Sequence, residues 1–374
     1  MLNKKWMIGI TVIGVLFAGI AAAEEKVDSS TYDKIWSYAK VVDNDDAAVL
    51  QSRAFTGRLQ GDAYRFDSDD PGSVSDMDWR RFRAGGKVVL FNDFTIHAEA
   101  DLDLNNVNNS DFYKRLTDAY ISWSASKAFK LKVGKQSAGF TLDGATSSKK
   151  LLTLERSVVA GNLWFTSEYF TGISGSGTVD GWNYKLGGFS SDGGDEFGDF
   201  DSGWFSLASI GRDVSENTEL RIDYVHNDPN YSGDVGTKKL TDVASIITKT
   251  QWDSFGFWTD LSYALGDDDQ SQSDLIGLEL MPFYDFNDTW QGVARYSMVH
   301  CTDGPGAVMG RYPKKNLSGS KYENVHEFYL GVNCYLYGHK LKWQTGVEYN
   351  LAQNDSAGDD YNGWGVTSGI RLSW

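Results

Sequence analysis

The chain has 374 residues, a formal net charge of -16 at pH 7, 40 glycines, five prolines and 14% aromatic residues. The acidic balance argues against nucleic acid as a partner. A mean hydropathy of -0.39 argues against a bundle of spanning helices but not against a barrel, in which only alternate strand residues meet lipid.

The first element is "MLNKKWMIGITVIGVLFAGIAAAEE". Lys4 and Lys5 form a charged head, Trp6 to Ile20 an apolar stretch, and Ala21 with Ala23 a small-residue cleavage site, so residues 1–23 are expected to be a secretory signal peptide. The apolar run is shorter than the ~20 residues that a spanning helix needs. Residues 24–48, with "TYDKIWSYAKVV", are expected as a periplasmic lead-in with helical character, and residues 49–374 as the barrel.

From there the chain alternates in two-residue steps, and the alternating runs come in pairs. Short connectors fall at "FND" (91–93), "SASKA" (124–128), "SGTVD" (176–180), "DVSEN" (213–217), "TQWD" (250–253), "DFND" (285–288) and "YGHK" (337–340). Longer ones fall near 67–77, 105–115, 138–163, 191–202, 227–241, 266–273, 301–322 and 352–361, which makes about sixteen strands. A sandwich has no reason to put its short turns at one end and its long loops at the other. A transmembrane up-and-down antiparallel β-barrel does, and an even strand number leaves both termini on the periplasmic side.

Strand faces agree with this reading. In "WRRFRAGGK", Phe82, Ala84, Val88 and Leu90 share the outward face while Arg81, Arg83 and Lys87 point inward. On the next strand Phe94, Ile96, Ala98, Ala100 and Leu102 oppose Thr95, His97, Glu99, Asp101 and Asp103. Phe328, Leu330, Val332, Cys334 and Leu336, and later Leu341, Trp343, Thr345, Val347, Tyr349 and Leu351, form further outward rows. The strands near 50–66 and 242–250 alternate poorly, so their registers stay open. Lys130, Lys132, Arg221, Arg295 and Arg371 fall on inward positions by parity. Arginines beside the acidic row Glu99, Asp101 and Asp103 would set a transverse field across the lumen, or would neutralise it.

Aromatic residues gather at one end and on one face. Phe94, Trp123, Phe129, Trp182, Trp290, Trp343 and Trp374 lie beside short turns or at the last strand's end, as a membrane-interface girdle requires. Cys301 and Cys334 lie near opposite ends of neighbouring strands, so a separation at ~3.3 Å per residue far exceeds the ~7 Å that a disulfide spans. Two free thiols are expected.

"DWRRFRAGGKVVLFNDFTIHAEADLD", "TDAYISWS", "LKVGKQSAGFTLDGATSSKKLLTLERS" and "RIDYVHNDP", in that order and spacing, resemble the phosphate-selective porins O and P over roughly residues 50–374. The resemblance implies a trimeric 16-stranded porin of the Gram-negative outer membrane that passes small solutes, with a third loop folded into the pore. In that loop "SSKKLLTLERSVV" reads as a short amphipathic helix, with Leu151, Leu152, Leu154 and Val158 against the wall and Lys149, Lys150 and Arg156 facing water.

The function expected is a water-filled channel for small hydrophilic solutes and ions, including anions such as phosphate. The mixed lumen charges differ from the cation-dominated lumen of a dedicated phosphate channel. A secreted carbohydrate-binding β-sandwich and an outer-membrane barrel enzyme are the alternatives. Ser147 and Lys150 have the spacing of a serine–lysine motif without its companion motifs, so no catalytic residues are assigned. No metal or cofactor is expected. The acidic stretches "SSDGGDEFGDFD" and "GDDDQSQSD" lack an ordered ligand spacing and read as solvated loops. Expected partners are the solutes, outer-membrane lipid and lipopolysaccharide, the barrel assembly machinery and two further copies in a homotrimer.

Overall fold

The computed structural model describes residues 29–69, 72–106, 112–316, 320–354 and 360–374. The expected signal peptide lies outside the described residues. The chain divides into two units, residues 1–40 and 41–374. In the first, α1 (Ser29–Ser37) forms within the expected lead-in, and its Tyr32 and Trp36 rings meet edge to face at 6.1 Å, one helical turn apart. A four-residue strand, β1 (Lys40–Asp43), follows at the boundary.

The second unit is a closed antiparallel barrel of sixteen strands, each bonded to its neighbour in sequence. Its first half comprises β2 (Leu50–Ser68), β3 (Ser73–Leu90), β4 (Phe94–Leu102), β5 (Tyr113–Ser126), β6 (Phe129–Ser137), β7 (Tyr169–Val179), β8 (Trp182–Ser190) and β9 (Gly203–Ser215). The second half comprises β10 (Thr218–Pro229), β11 (Leu240–Trp252), β12 (Phe255–Gly266), β13 (Leu275–Asp285), β14 (Trp290–Cys301), β15 (Asn324–Tyr337), β16 (Leu341–Gln353) and β17 (Tyr361–Ser373). Pairing of β17 with β2, from Gly363↔Ser68 to Ser373↔Arg58, closes the wall. No helix among the described residues is long and apolar enough to cross a membrane.

All seven short turns form at the expected connectors, but some are tighter: residues 176–179 belong to β7 and 250–252 to β11, so those turns narrow to Asp180–Gly181 and Asp253–Ser254. At Asp180–Gly181 both residues have positive φ, 50° and 78°, the twist that a two-residue hairpin loop needs. The connector after β2 is shorter than expected, because cross-strand pairing continues out to Asp67↔Ser73. Outward rows are as read from the sequence: Ile96, Leu330 and Val347 are exposed, while Glu99, Lys342, Gln344 and Asn350 turn inward and are buried. Cys301 and Cys334 are free and buried. Cys334 faces outward between Trp290 and Trp343, its partners in register on either side, whose rings meet edge to face at 6.4 Å.

Two strands resisted a register assignment for one physical reason. Val243, Ile247 and Lys249 of β11 point inward, and Ile247 is buried against Leu142, Leu152, Met281, Phe283 and Val293. On β2, Tyr64 and Phe66 point inward against Leu154 and Tyr312. A loop covers part of the inner face of these strands, so apolar side chains there interrupt the polar half of the alternation.

That loop is the third long connector, 138–168. It contains two short helices, α2 (Leu142–Ala145) and α3 (Val158–Leu163), each capped by the residue before it, Thr141 and Ser157. Leu151, Leu152, Leu154 and Val158 are buried on the wall, each stabilising the fold by roughly 1.5–3 kcal/mol. The amphipathic helix expected over residues 147–159 does not form; only its last residues join α3. Wall side chains take the loop's carbonyls, which removes the need for a helical ladder.

Candidate functional site

The third loop is held by a row of inward side chains from distant strands. Arg221 donates to the Thr141 carbonyl at 2.8 Å, Asn333 to that of Leu152 at 2.8 Å, Arg371 to that of Leu154 at 2.9 Å and Arg295 to that of Glu155 at 2.9 Å. Lys342 and Gln344 share the Leu151 carbonyl, and Gln60 takes that of Ser148 at 3.1 Å. Asp260 accepts from the Leu142 amide at 2.6 Å. Arg221, Arg295 and Arg371 therefore face inward as parity requires, but they lie beneath the loop as its anchors instead of on open lumen. Each has a carboxylate beside it: Arg221 is 3.1 Å from Asp223, Arg295 is 2.6 Å from Glu327, and Arg371 pairs with Asp62.

A second loop also folds inward, and the sequence reading missed it. Connector 302–323 carries Tyr312, which is buried, stacks on Tyr64 with ring centroids 4.3 Å apart and donates to Asp62. Lys315 reaches Asp78 at 2.7 Å and the Tyr64 hydroxyl at 2.6 Å. Asn162 of α3 and Val308 exchange hydrogen bonds of 2.8 and 2.9 Å, which tie the two loops together. The signal present in the sequence was "RYPKK" (311–315), an aromatic and basic cluster in the middle of a long connector.

Over β3 to β6 the third loop's carbonyl anchors are fewer, and the loop after β8 reaches in to Lys135, which donates to the carbonyls of Gly194 at 2.8 Å and Asp195 at 3.0 Å. Cross-strand pairing puts Arg83 opposite Asp101, at 3.3 Å, and Glu99 opposite Gly85, where Arg58 takes it at 3.1 Å. Of the three acidic residues read as one side of a transverse field, Glu99 and Asp101 are thus matched locally by arginines, while Asp103 accepts from Asn105 and Asn106 in the connector after β4. Lys87 is exposed, and Lys132 lies over the Tyr120 ring at 4.2 Å. Neither these two lysines nor Lys130 has a carboxylate within ion-pair distance among the described residues. Of the loop cations, Lys150 is exposed, and Lys149 reaches back to the Trp374 carbonyl at 3.4 Å. Burial, then the nearby Arg58, lowers the Lys149 ammonium below the usual lysine range.

Above these strands lies a cavity of about 310 Å³ lined by Arg80, Arg81, Arg83, Arg115, Arg311 and Glu168, among others. Arg80 was not picked out from the sequence. A bulge pairs Gln60 with Arg81 but Gly61 with Trp79, so Arg80 is the extra residue and turns inward beside Arg81. It holds Glu155 of the loop with two contacts, the longer 3.1 Å. Arg156, expected to face water, is mostly buried: its guanidinium lies 4.5 Å over the Trp164 ring and donates to the carbonyls of Asp143 at 2.8 Å and Thr146 at 3.0 Å.

Glu168 closes the loop against these cations. It is 3.4 Å from Arg83, 3.6 Å from Arg156 and 3.8 Å from Arg81. Burial would push its carboxyl up, but Arg156, Arg81, Arg83 and Arg115 outweigh that and hold it well below the usual carboxylate range. Its backbone φ is 62°, a left-handed conformation that costs a side-chain-bearing residue roughly 1–2 kcal/mol.

The expected girdle residues lie by the short turns on the outer face. Phe94 stacks on Trp123 at 6.4 Å, Trp123 meets Phe129 edge to face at 6.4 Å, and Arg212 lies 4.8 Å over the Trp182 ring. Trp252 and Phe255, stacked at 6.0 Å across the Asp253–Ser254 turn, belong to the same belt and were not singled out. In the acidic loops, Asp192 and Asp274 accept from their own loop amides, Gly194 at 2.6 Å and Gly266 at 2.8 Å.

The family model of the phosphate-selective porin O and P matches residues 54–239. No curated protein matches the chain by sequence. An anion-selective porin from Comamonas acidovorans superposes with a TM-score of 0.60 at 12% identity, over 86% of this chain and 99% of the other. The outer-membrane channel DcaP of Acinetobacter baumannii gives 0.60 at 11% identity, over 89% and 99%. OprB of Pseudomonas putida gives 0.58 at 11%, over 86% and 94%. At such identities these likenesses are likenesses of fold.

Proposed function

We propose that this chain, which through residues 54–239 is a relative of the phosphate-selective porin O and P family, is a porin whose lumen favours anions. It is an outer-membrane channel of Gram-negative type for passive diffusion of small hydrophilic solutes and ions. The anion preference is carried by one observation: along β3 to β6 the inward cations Arg81, Arg83, Lys87, Arg115, Lys130 and Lys132 stand against Glu99, Asp101 and Asp118, with Arg81 and Arg83 buried beside the loop carboxylates Glu155 and Glu168, and Lys87, Lys130 and Lys132 without an ion pair among the described residues. Charges in a narrow, partly desolvated lumen act on a passing ion through little water, so an excess of one sign there decides which ions cross. Negative loops at the wide mouth are screened within about 10 Å at 0.1 M salt.

Passage by diffusion needs no catalysis, and none is proposed. The assembly proposed is a homotrimer, since oligomers tend to close into symmetric rings, inserted by the barrel assembly machinery among lipopolysaccharide. The test is the reversal potential of the reconstituted channel in a salt gradient. Wild type should be anion-selective, and Arg81→Gln with Arg83→Gln should shift the potential toward cations. A cation-selective wild type overturns the reading.

A further inference from the structure

Resting on the anion reading above, we infer that Glu168 is a tethered competitor for the permeating anion: its carboxylate sits in an oxyanion site built by Arg81, Arg83 and Arg156, and keeps that site weak enough to conduct.

Three guanidiniums from two separate parts of the chain converge on this carboxylate. Arg81 and Arg83 come up the wall on β3, and Arg156 comes from the loop. Their side chains are 3%, 2% and 11% exposed, so the positive charge is held away from water. Yet the fit is loose. Arg83 makes the hydrogen bond to Glu168, at 3.4 Å, while Nη2 of Arg81 is buried and has no hydrogen-bond partner within the protein. The neighbouring donors are engaged, Arg83 with Asp101 and the Tyr169 hydroxyl and Arg156 with the Asp143 and Thr146 carbonyls, so Nη2 of Arg81 is an open donor beside Glu168. A free oxyanion, carboxylate or phosphate, offers its lone pairs without the geometric limits of a tether, and guanidinium forks match such groups in pairs.

The backbone supports the same assignment. Glu168 is pinned in its left-handed conformation by the Ala138 amide, which donates to its carbonyl at 3.2 Å. Glycine would hold that conformation without strain. Strain kept at a side-chain-bearing residue goes with a use for its side chain. The cavity of about 310 Å³ opens onto Arg81, Arg83 and Glu168, and the rest of its lining carries both signs, Arg80, Arg115 and Arg311 beside Asp78, Asp101 and Asp103, so an anion that enters it meets two of the three arginines and the carboxylate together. Entry then proceeds by exchange: the anion takes the guanidiniums, Glu168 gives way, and its return helps the anion leave. A channel conducts only when its site binds weakly enough to release.

The experiment uses the full chain in planar bilayers, with chloride current recorded while inorganic phosphate is added. In Glu168→Gln the phosphate concentration that halves the current should fall about tenfold or more, the scale of one desolvated charge-assisted contact. Glu168→Gly, which suits the φ of 62°, should behave alike, and added acetate should then raise the phosphate requirement again. An unchanged or increased phosphate requirement in both variants overturns the inference, as does failure of both to form a heat-modifiable barrel, which would make Glu168 a structural counterion. If the Arg81 and Arg83 substitutions still shift selectivity in wild type, the anion channel stands while this inference falls; a cation-selective wild type removes both.

Discussion

Trp374 and Gly57 exchange two backbone hydrogen bonds, each 3.2 Å, across the seam where the last strand meets the first. The indole lies directly over the glycine, where a Cβ would collide with the ring and with the Arg83 carbonyl. The aromatic end of the chain is therefore a structural closure as well as an interfacial residue.

Gly57→Val and Trp374→Ala should accordingly impair barrel formation and leave the properties of assembled channels alone. The heat-modifiable fraction on gels should drop for both, with single-channel conductance and reversal potential unchanged in what assembles. Normal yield with altered conductance would refute this.

The wall anchors differ in kind, and their removal should rank accordingly. Arg371→Met leaves Asp62 buried without a counter-charge, with only the Tyr312 hydroxyl beside it among the described residues, which costs roughly 3–5 kcal/mol; Asn333→Leu leaves the Leu152 carbonyl unpaired, which costs roughly 1–3 kcal/mol. Both should lower the thermal unfolding midpoint, the arginine variant more, and both should add current noise as the loop loosens. Equal midpoints in the two variants would argue that other bonds carry the loop.

Removing the second inward loop's plug should widen the pore without changing its sign. Tyr312→Ala deletes the stack on Tyr64 and the bond to Asp62. Conductance should rise while anion preference persists. A conductance equal to wild type would mean that the tyrosine caps wall structure away from the ion path.

The acid response follows from Glu155 and Glu168. For both, burial acts upward and is outweighed by arginines, chiefly Arg80 and Arg81 for Glu155 and Arg156 for Glu168, so both carboxyls lie below their usual range. A carboxyl lowered on folding contributes stability that is complete above the unfolded value, ~4.3 for Glu, and is lost as pH falls from there toward the folded value. Loop-dependent conductance should stay level from pH 7 to about 5, and change only on further acidification. A step between pH 6 and 5 in wild type that is absent from Glu168→Gln would contradict this.

Cys301 and Cys334 should neither bridge nor react in the folded protein. Cys301 faces inward and donates to the Tyr322 carbonyl at 3.3 Å, while Cys334 is covered by tryptophans near the far end of β14. Oxidant should leave gel mobility unchanged, and thiol reagents should label the chain after unfolding and not before.

The strand count, the turns and the outward rows were legible because lipid on one side and water on the other impose a two-residue period. The same rule failed wherever water was not on the inside. Ile247, Tyr64 and Phe66 look misplaced until the loop over them is seen, and no local pattern announces a loop 100 residues away. Arg80 was hidden by a bulge, which shifts parity by one residue without changing composition. Arg221 and Arg295 were correctly turned inward, but parity cannot distinguish a cation facing an open lumen from one lying under a covering loop. The helix expected over 147–159 had the right apolar spacing; Leu151, Leu152 and Leu154 do pack, on a bent segment whose carbonyls the wall has claimed.

That claim on carbonyls has an evolutionary side. A carbonyl is the same at every position, so Arg221, Asn333, Arg371 and Arg295 grip the third loop without reading which residues it is made of. Side chains that the loop leaves exposed, such as Lys150, are free to drift while the grip persists. Descendants of such a chain can change what they admit by a few exchanges on the loop's free face, inheriting the mounting intact.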